Sequence, residues 1–449
     1  MRIRVLKFGG TSVDSHEHRL MAARKVAQAK EAGYAPVVVV SAIGRKGAPY
    51  ATDTLVEFLR SIDPSVDPAM RDRDLMMACG EIISTVIMAH TLRTLGHSAV
   101  PMTGGQAGIY TDEEYGAARI VAINNENVMR IIADGAVPVV AGFQGVHANG
   151  NGVESGTVTT LGRGGSDTTA AALGAALGAE AVEIFTDVDG VKTADPDYVP
   201  EASTLQEVTY EEVAEIAHQG ARVLHPRAAE AAMDYDIPLY VRNTFSDEPG
   251  TLVVSSSSRR RFSAVTHTGK VVSLQISAPW VEHKSHLELE MFRLLGMAQV
   301  NVQLVSIDQE GFSLAFSREH FPRVRQMLDG LIIPIAKQNE EPQLYILRFS
   351  AETGSNFVVQ HGLLEKAGMG GALRTVSIEF TEGLTMVSVI APGYSGEPGV
   401  FYEAIKTLNE AGIAVIQAAD SDLSLSCLVP ESEVHRAVRI LHDRFAITA

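Results

Sequence analysis

Cysteine is nearly absent from this chain. Cys79 and Cys427 are the two in 449 residues. They fall in regions that read as different domains, so they build neither a disulfide framework nor a metal-ligand cluster. Such usage suits a reducing cytosol. Positive charge is also in deficit: 37 Lys and Arg against 54 Asp and Glu leave a net charge of −17. That balance argues against a partner such as nucleic acid or an anionic membrane, although a local cluster of cations can still hold an anionic substrate. Long hydrophobic runs are missing. The longest apolar stretches, such as 170–179, are short and rich in Ala and Gly. No segment is expected to approach the roughly 20 apolar residues that span a bilayer. The chain enters a strand without a basic and then apolar leader, and a soluble cytoplasmic protein is expected.

What is present begins with length. At 449 residues, 46% of them apolar and 20% charged, the chain is an ordinary globular one of roughly three domains. Arg2 to Leu6 reads as a short apolar strand that runs into Lys7-Phe8-Gly9-Gly10-Thr11-Ser12. Adjacent glycines let the backbone turn tightly and approach a ligand. A helix is expected near Val13, capped by Ser12 or Asp14. Backbone N–H groups, the helix dipole and the Lys7 charge would then converge on an anion, as a transferring phosphoryl group requires. The segment matches neither common phosphate-loop pattern. An ordinary strand-to-helix turn is the competing reading.

The first half alternates strands and helices. Residues 36–41, 99–102, 137–141, 181–186 and 239–241 read as strands, and 22–32, 75–95, 128–133 and 168–177 as helices. Continuous apolar strands alternating with helices imply a parallel sheet covered on both faces. Past Val254 the run Ser255 to Ser258 followed by Arg259-Arg260-Arg261 reads as a solvated linker. A β-α-β-β-α pattern then occurs twice. The first copy has strands at 271–276, 300–306 and 312–317 and helices at 287–295 and 321–328. The second has strands at 384–391, 413–418 and 423–429 and helices at 400–411 and 433–445. Such a repeat suggests small ferredoxin-like modules. The stretch 335–381 fits neither copy.

Three further segments bear on the opening turn. Gly162-Arg163-Gly164-Gly165-Ser166-Asp167 precedes an Ala-rich helix and makes a second anion cradle. Arg163 offers a planar fork for a carboxylate, and Asp167 an acceptor for an ammonium; a ligand with both groups is an amino acid. Thr186-Asp187-Val188-Asp189-Gly190-Val191-Lys192-Thr193-Ala194-Asp195 follows a strand, where ligands bind in open α/β folds. Its carboxylates could hold a ribose, order a loop or orient a metal, but a full calcium loop is missing. Glu81 lies among apolar residues of a helix. An acid there needs a partner if buried, such as a substrate ammonium, or else faces solvent.

Taken together, Lys7 to Ser12, Gly80-Glu81, Gly162 to Asp167 and Thr186 to Val191 resemble the signature set of aspartate kinases, in that family's order. Ser41-Ala42, Tyr50-Ala51-Thr52-Asp53, Gly142-Phe143-Gln144-Gly145 and Leu224-His225-Pro226 extend the resemblance. The two repeats are similar to the paired ACT domains of that family. The resemblance implies an α/β fold: an amino-acid-kinase-like, parallel-rich sheet between helices, followed by two ferredoxin-like βαββαβ ACT modules. Domain bounds of 1–254 (catalytic), 255–268 (linker), 269–340 and 341–449 (the modules, the second with an unplaced insertion at its start) follow.

It further implies ATP-dependent phosphorylation of the aspartate side-chain carboxylate, the first step toward lysine, threonine, methionine and diaminopimelate. Lys7, Gly10 and Asp167 would be catalytic. Thr52, Glu81, Arg163, Gly164, Gly165, Ser166 and Asp167 would bind aspartate. Lys7, Phe8, Gly9, Gly10, Ser41, Thr186, Asp187, Gly190, Val191, Thr193, Asp195 and Arg222 would serve ATP. No protein-only metal cage is evident, so Mg2+ would arrive with ATP. An amino-acid effector (lysine, threonine or diaminopimelate) and a homo-oligomer built through the ACT modules are implied, and no fused homoserine dehydrogenase.

Two departures from the family pattern stand out. Arg222 occupies the place of a nucleotide-contacting lysine, keeping charge but not geometry. Trp280 to Lys284 replaces the Pro-Gly pair that opens the first module's helix, whereas Glu397-Pro398-Gly399 keeps it in the second. Kinases of acetylglutamate, glutamate, carbamate and UMP share the fold class but generally lack this motif set. A catalytically weak amino-acid sensor on the same fold is the alternative from a different class.

Overall fold

The computed structural model describes residues 1–148, 154–221, 223–256, 261–277, 285–308, 311–328, 332–335, 343–349, 356–360, 377–392 and 399–447. The chain divides into two compact units, one built on Met1–Ala264 and the other on Val265–Val389 and Tyr394–Phe445.

The first unit is organised by an eight-stranded sheet. Its spatial order is Glu207–Thr209, Thr251–Val254, Leu239–Asn243, Ala181–Thr186, Ile3–Phe8, Ala35–Val40, Val137–Ala141 and Ala99–Met102. Every pairing is parallel except that between Leu239–Asn243 and Thr251–Val254. Successive strand residues point to opposite faces. Val5, Val37, Val39 and Ile184 therefore pack on one side with Leu173 and Ala229. Leu6, Phe8, Val38 and Val40 pack on the other with Ala22, Val26, Met88 and Leu92. Both faces are dry, which is why these strands read as unbroken apolar runs.

The Met70–Thr94 helix covers the second face. At 25 residues it is long and apolar enough to cross a bilayer by length and hydropathy alone, with 56% of its most apolar stretch buried in the fold. The expectation that no segment approaches that length is thereby corrected. This helix carries Asp74 and Glu81 into the interior, as a core helix does. A mixed four-stranded sheet (Ile120–Ile123, Ile109–Thr111, Gln144–Ala148 and Glu154–Thr160) flanks it.

Three local expectations change. The helix after the glycine turn does not start near Val13. A short 3-10 turn, Gly10–Ser12, comes first, and the helix His16–Glu31 is capped by Ser15, whose Oγ accepts from the His18 N–H at 3.0 Å. Ser12 is buried and hydrogen-bonded to Thr244 (Oγ to Oγ1, 2.7 Å), so it is not free to cap. The helix expected from Thr168 begins at Gly165, because Gly164 in the left-handed region starts it earlier. The strand Ala264–Ser277 begins inside the segment expected to be linker. Ser263, Ala264, Val265, Thr266 and Thr268 are buried there, so small polar residues that look like linker by composition are sheet and core. Residues 257–260 lie outside the described residues.

The second unit holds a six-stranded sheet in the order Val302–Ile307, Gly311–Ser317, Ala264–Ser277, Ser377–Ile390, Ser424–Pro430 and Gln417–Asp420. Each repeat contributes three strands and two helices: Ser285–Met297 and Phe321–Leu328 in the first, Val400–Glu410 and Val434–Arg444 in the second. The strand expected at 413–418 forms at Gln417–Asp420, since Gly412 in the left-handed region ends the preceding helix and Ile413 is buried without strand pairing. The stretch 335–381 contributes Gln343–Phe349 and Asn356–Gln360. These pair antiparallel, and Gln343–Phe349 also pairs with Ile332–Ile335, which follows the first repeat's second helix. That strand lies in the small sheet and not in the six-stranded one. The departures at 280–284 and 397–398 lie outside the described residues.

Candidate active site

Lys7 is the one charged residue of the strand Ile3–Phe8 that is buried. The strand holds it in parallel register between Val39 and Ile184. Its Nζ meets Asp167 Oδ1 at 2.6 Å. Asp167 stands in the first turn of the helix Gly165–Ala176, where the dipole favours a carboxylate. Gly164 precedes that helix with φ 75°, and a Cβ there would lie 2.1 Å from His225 Cγ. Only glycine fits. The half-buried imidazole of His225 is held below its usual pKa by desolvation, with Arg227 adding to the effect.

Glu81 sits on the helix Met70–Thr94 and is 3% exposed. One oxygen, Oε1, accepts from the Ala42 N–H at 3.1 Å. The other, Oε2, is buried and has no hydrogen-bond partner among the described residues. Desolvation pushes its carboxyl up to about 8. Two turns earlier Asp74 is fully buried; its carboxylate accepts from Gly116 N–H (2.9 Å), Thr160 N–H (2.7 Å) and Thr160 Oγ1 (2.9 Å). Asp74 thus ties this helix to the strand that leads into Arg163.

A cleft of about 520 Å³ opens over these groups. Lys7, Gly10, Ser41, Thr52, Glu81, Gly164, Gly165, Ser166 and Asp167 line it, which unites the expected catalytic residues with all of the expected aspartate-side residues but Arg163. Residue 10 must lack a side chain: a Cβ would stand 2.5 Å from Gly44 O and 2.7 Å from Ala42 O.

Other expected residues lie elsewhere. Phe8 is core, stacked on Phe185 with ring centroids 4.9 Å apart. Val191 is also core, and only its backbone is polar; its N–H donates to Thr251 Oγ1 at 2.9 Å. Thr193 is buried and accepts from Ser203 N–H at 3.2 Å. These side chains therefore cannot reach a ligand in the cleft as expected; apolar or hydrogen-bonded packing has claimed them. Gly9 donates to Phe185 O at 3.3 Å. Thr186 Oγ1 donates to Asp187 Oδ1 at 3.2 Å, and Asp187 also pairs with Arg45 at 2.7 Å. Gly190 turns the chain at φ 130°, and exposed Asp195 accepts from Asp197 N–H at 3.0 Å. Arg163 is exposed beside the cleft, without a hydrogen-bond or ion-pair partner among the described residues. Arg222 lies outside the described residues.

Sequence reasoning missed Gly44, Arg45 and Lys46, which line the cleft, and Asp74. A signal existed for the first group: Gly44-Arg45-Lys46-Gly47 sets two cations between glycines directly after a buried strand. Asp74 offered none, because a carboxylate in a helix of charged sequence looks solvent-facing.

The parallel sheet, the glycine turn and the paired Lys7 and Asp167 define a phosphotransferase of the amino-acid-kinase class. Residues 2–243 match the model of the amino acid kinase family, and residues 387–445 that of an ACT domain. Aspartokinase 1 of Bacillus subtilis (strain 168) is 35% identical over 456 residues, covering 100% of each chain. The aspartokinase of Geobacillus stearothermophilus is 34% identical over 455 residues, 100% of this chain and 98% of that one. The chain belongs to the aspartokinase family. A crystal structure of E. coli aspartokinase III in complex with aspartate and ADP (R-state) shares the fold, with a TM-score of 0.69, 24% identity and 99% of each chain covered. The same holds for that protein in complex with lysine and aspartate (T-state), at TM-score 0.69, 22% identity and 99% of each chain.

Proposed function

We propose that this chain transfers the terminal phosphoryl group of Mg-ATP to the side-chain carboxylate of L-aspartate, giving 4-phospho-L-aspartate and ADP. The observation that carries the reading is one cleft holding both the Lys7–Asp167 pair, at 2.6 Å, and the buried unpaired oxygen of Glu81. A carboxylate with a reference pKa near 4 is already a nucleophile, so no general base is needed. Its oxygen bonds to phosphorus as the bond to the bridging oxygen breaks, and ADP leaves with that electron pair. The obstacle is repulsion between two anions, so positioning and charge neutralisation supply the catalysis. Lys7 bridges the transferring group, with Asp167 holding its ammonium in place. The Gly10 N–H adds a donor, the Gly9 N–H being spent on Phe185 O. Mg2+, brought with the nucleotide, neutralises phosphate charge.

Glu81 receives the aspartate ammonium, and Arg163 swings onto its α-carboxylate. Thr52 and the Gly164-Gly165-Ser166 turn complete the aspartate side. Ser41, Thr186, Asp187, Gly190, Asp195 and Arg222 serve the nucleotide. The product feeds lysine, threonine, methionine and diaminopimelate synthesis in the cytoplasm. The ACT repeats bind an end-product amino acid, a reading that the lysine complex of E. coli aspartokinase III supports, and they pair between copies of the chain.

Hydroxylamine trapping tests the reaction, with ATP and aspartate, glutamate, N-acetylglutamate or UMP as acceptor. Aspartate-dependent hydroxamate is expected. Its absence at every concentration of lysine, threonine and diaminopimelate sinks the proposal.

A further inference from the structure

We propose that Arg45 and Lys46 bind the polyphosphate chain of the nucleotide, exchanging the protein carboxylates that hold them for phosphate oxygens. The proposal rests on the phosphotransfer reading above and adds residues to its nucleotide side. Among the described residues three cationic side chains line the cleft: Lys7, Arg45 and Lys46. Lys7 is committed to Asp167 at 2.6 Å. Of the described cleft cations, Arg45 and Lys46 are the two whose partners are exposed and exchangeable.

Their placement fits that task. The turn that carries them is stitched to the glycine turn, with Gly44 N–H donating to Gly10 O at 3.0 Å. The Lys7 strand has two parallel neighbours, Ala35–Val40 and Ala181–Thr186. Arg45 follows the first neighbour and Asp187 the second, and they meet at 2.7 Å, Nη2 to Oδ2. The guanidinium thus bridges the loops on either side of Gly9-Gly10. Lys46 pairs with Glu57 of the Thr52–Arg60 helix.

Both pairs are exposed: 74% and 40% for Arg45 and Asp187, 67% and 55% for Lys46 and Glu57. Exposed pairs contribute little, so a polyphosphate, with more charge and more oxygens, outcompetes either carboxylate. A guanidinium can engage two phosphate oxygens at once, whereas Lys46 acts as a point charge.

Titration calorimetry of the full chain with Mg2+ and ATP, ADP or AMP, without aspartate, reads this directly. Arg45→Ala is expected to weaken ATP and ADP by about tenfold, and AMP by less than about twofold, since charged hydrogen bonds to the distal phosphates are lost. Arg45→Lys should recover part of the loss. Lys46→Ala should show a smaller loss with the same preference for long phosphate chains. The KM for aspartate should not move with Arg45→Ala. An ATP loss below about threefold, equal losses for ATP and AMP, or an effect confined to the aspartate KM overturns the proposal. Turnover is not needed for the titration. A chain that binds ATP through Arg45 yet phosphorylates no aspartate would sink the reaction and leave this assignment standing.

Discussion

Replacing Glu81 with glutamine is expected to stabilise the protein and to cripple its use of aspartate. Burial raises the Glu81 carboxyl from 4.5 to about 8. Between those values the unfolded chain carries the ionised form and the folded chain the protonated one. The folded state then binds more protons, so this group's contribution is full below about pH 4.5 and is lost as pH rises toward 8. At roughly 1.4 kcal/mol per unit of pKa, the loss is ~3 kcal/mol by pH 7 and ~4 kcal/mol by pH 8. Glutamine keeps the shape without the charge. Glu81→Gln should therefore unfold at higher denaturant than wild type at pH 8, with the gap closing toward pH 4.5.

Aspartate changes the balance. An ammonium beside Oε2 favours the carboxylate, so binding must expel the Glu81 proton. The apparent affinity of wild type for aspartate should rise about tenfold per pH unit from 6 to 8, then level. Calorimetry in buffers of different ionisation enthalpy should count close to one proton released at pH 7. In Glu81→Gln the pH slope and the proton release should vanish, and kcat/KM for aspartate should fall roughly 100-fold or more as a buried ionic partner is lost. A flat aspartate KM across pH 6–8.5 with no proton release refutes the reasoning. So does a Glu81→Gln protein no more stable than wild type at pH 8.

Three more outcomes follow from single residues. Lys7→Met should lower kcat by about 100- to 1,000-fold or more with an unchanged far-UV spectrum; surviving turnover in the trapping assay removes Lys7 from the transfer step. Asp74→Ala strands three donors, on Gly116 and Thr160, and should cost roughly 3–5 kcal/mol in urea unfolding. A cost under about 1 kcal/mol would mean water takes over those donors. Gly164→Ala meets both a positive φ and the His225 ring. It should lose about 2 kcal/mol or more and most of kcat, because Asp167 moves with the helix start; a normal kcat contradicts that coupling.

Legibility in the sequence tracked burial. The runs at Val37–Val40 and Val137–Ala141 could be read because both sheet faces are dry, and apolar residues then fill every position. Glu207–Thr209 and Ile109–Thr111 could not: three residues carry no period. Thr209 and Glu212 form a capping box that was readable in principle. Ser12, Asp14 and Ser15 are near-equivalent caps by composition; Ser12 is taken by Thr244, 232 residues away, and Asp14 by the His18 ring, which leaves Ser15. The site followed the same rule. Glycine turns that pack tightly were visible as motifs, and Gly10, Gly164 and Asp167 from those motifs line one cleft. Phe8, Val191 and Thr193 belong to those motifs yet face the core. A motif marks a stretch of backbone: strand alternation turns Phe8 away from the face that Lys7 presents, while Val191 and Thr193 are drawn into the core beyond the end of their strand.

The cleft also explains how an acidic protein accommodates two anionic substrates. The net charge of −17 sets a repulsive far field, but that field is screened over about 10 Å at ordinary salt. Inside the cleft Lys7, Arg45 and Lys46 face Asp53, Glu81 and Asp167. Counted as ionised, the lining is neutral. Glu81 is protonated near neutral pH until an ammonium arrives, which tips the ligand-free lining positive. The Gly10 N–H adds a donor, and the helix Gly165–Ala176 adds its positive end. A triphosphate thus meets a lining to which protonated Glu81 adds no negative charge, and it takes Arg45 and Lys46 over from Asp187 and Glu57. Aspartate, entering with its own ammonium, ionises Glu81 and restores the balance. On this account the two substrates are electrostatically linked through Glu81: bound aspartate removes a positive increment from the site that ATP sees, and the coupling should weaken above pH 8, where Glu81 is ionised in either case.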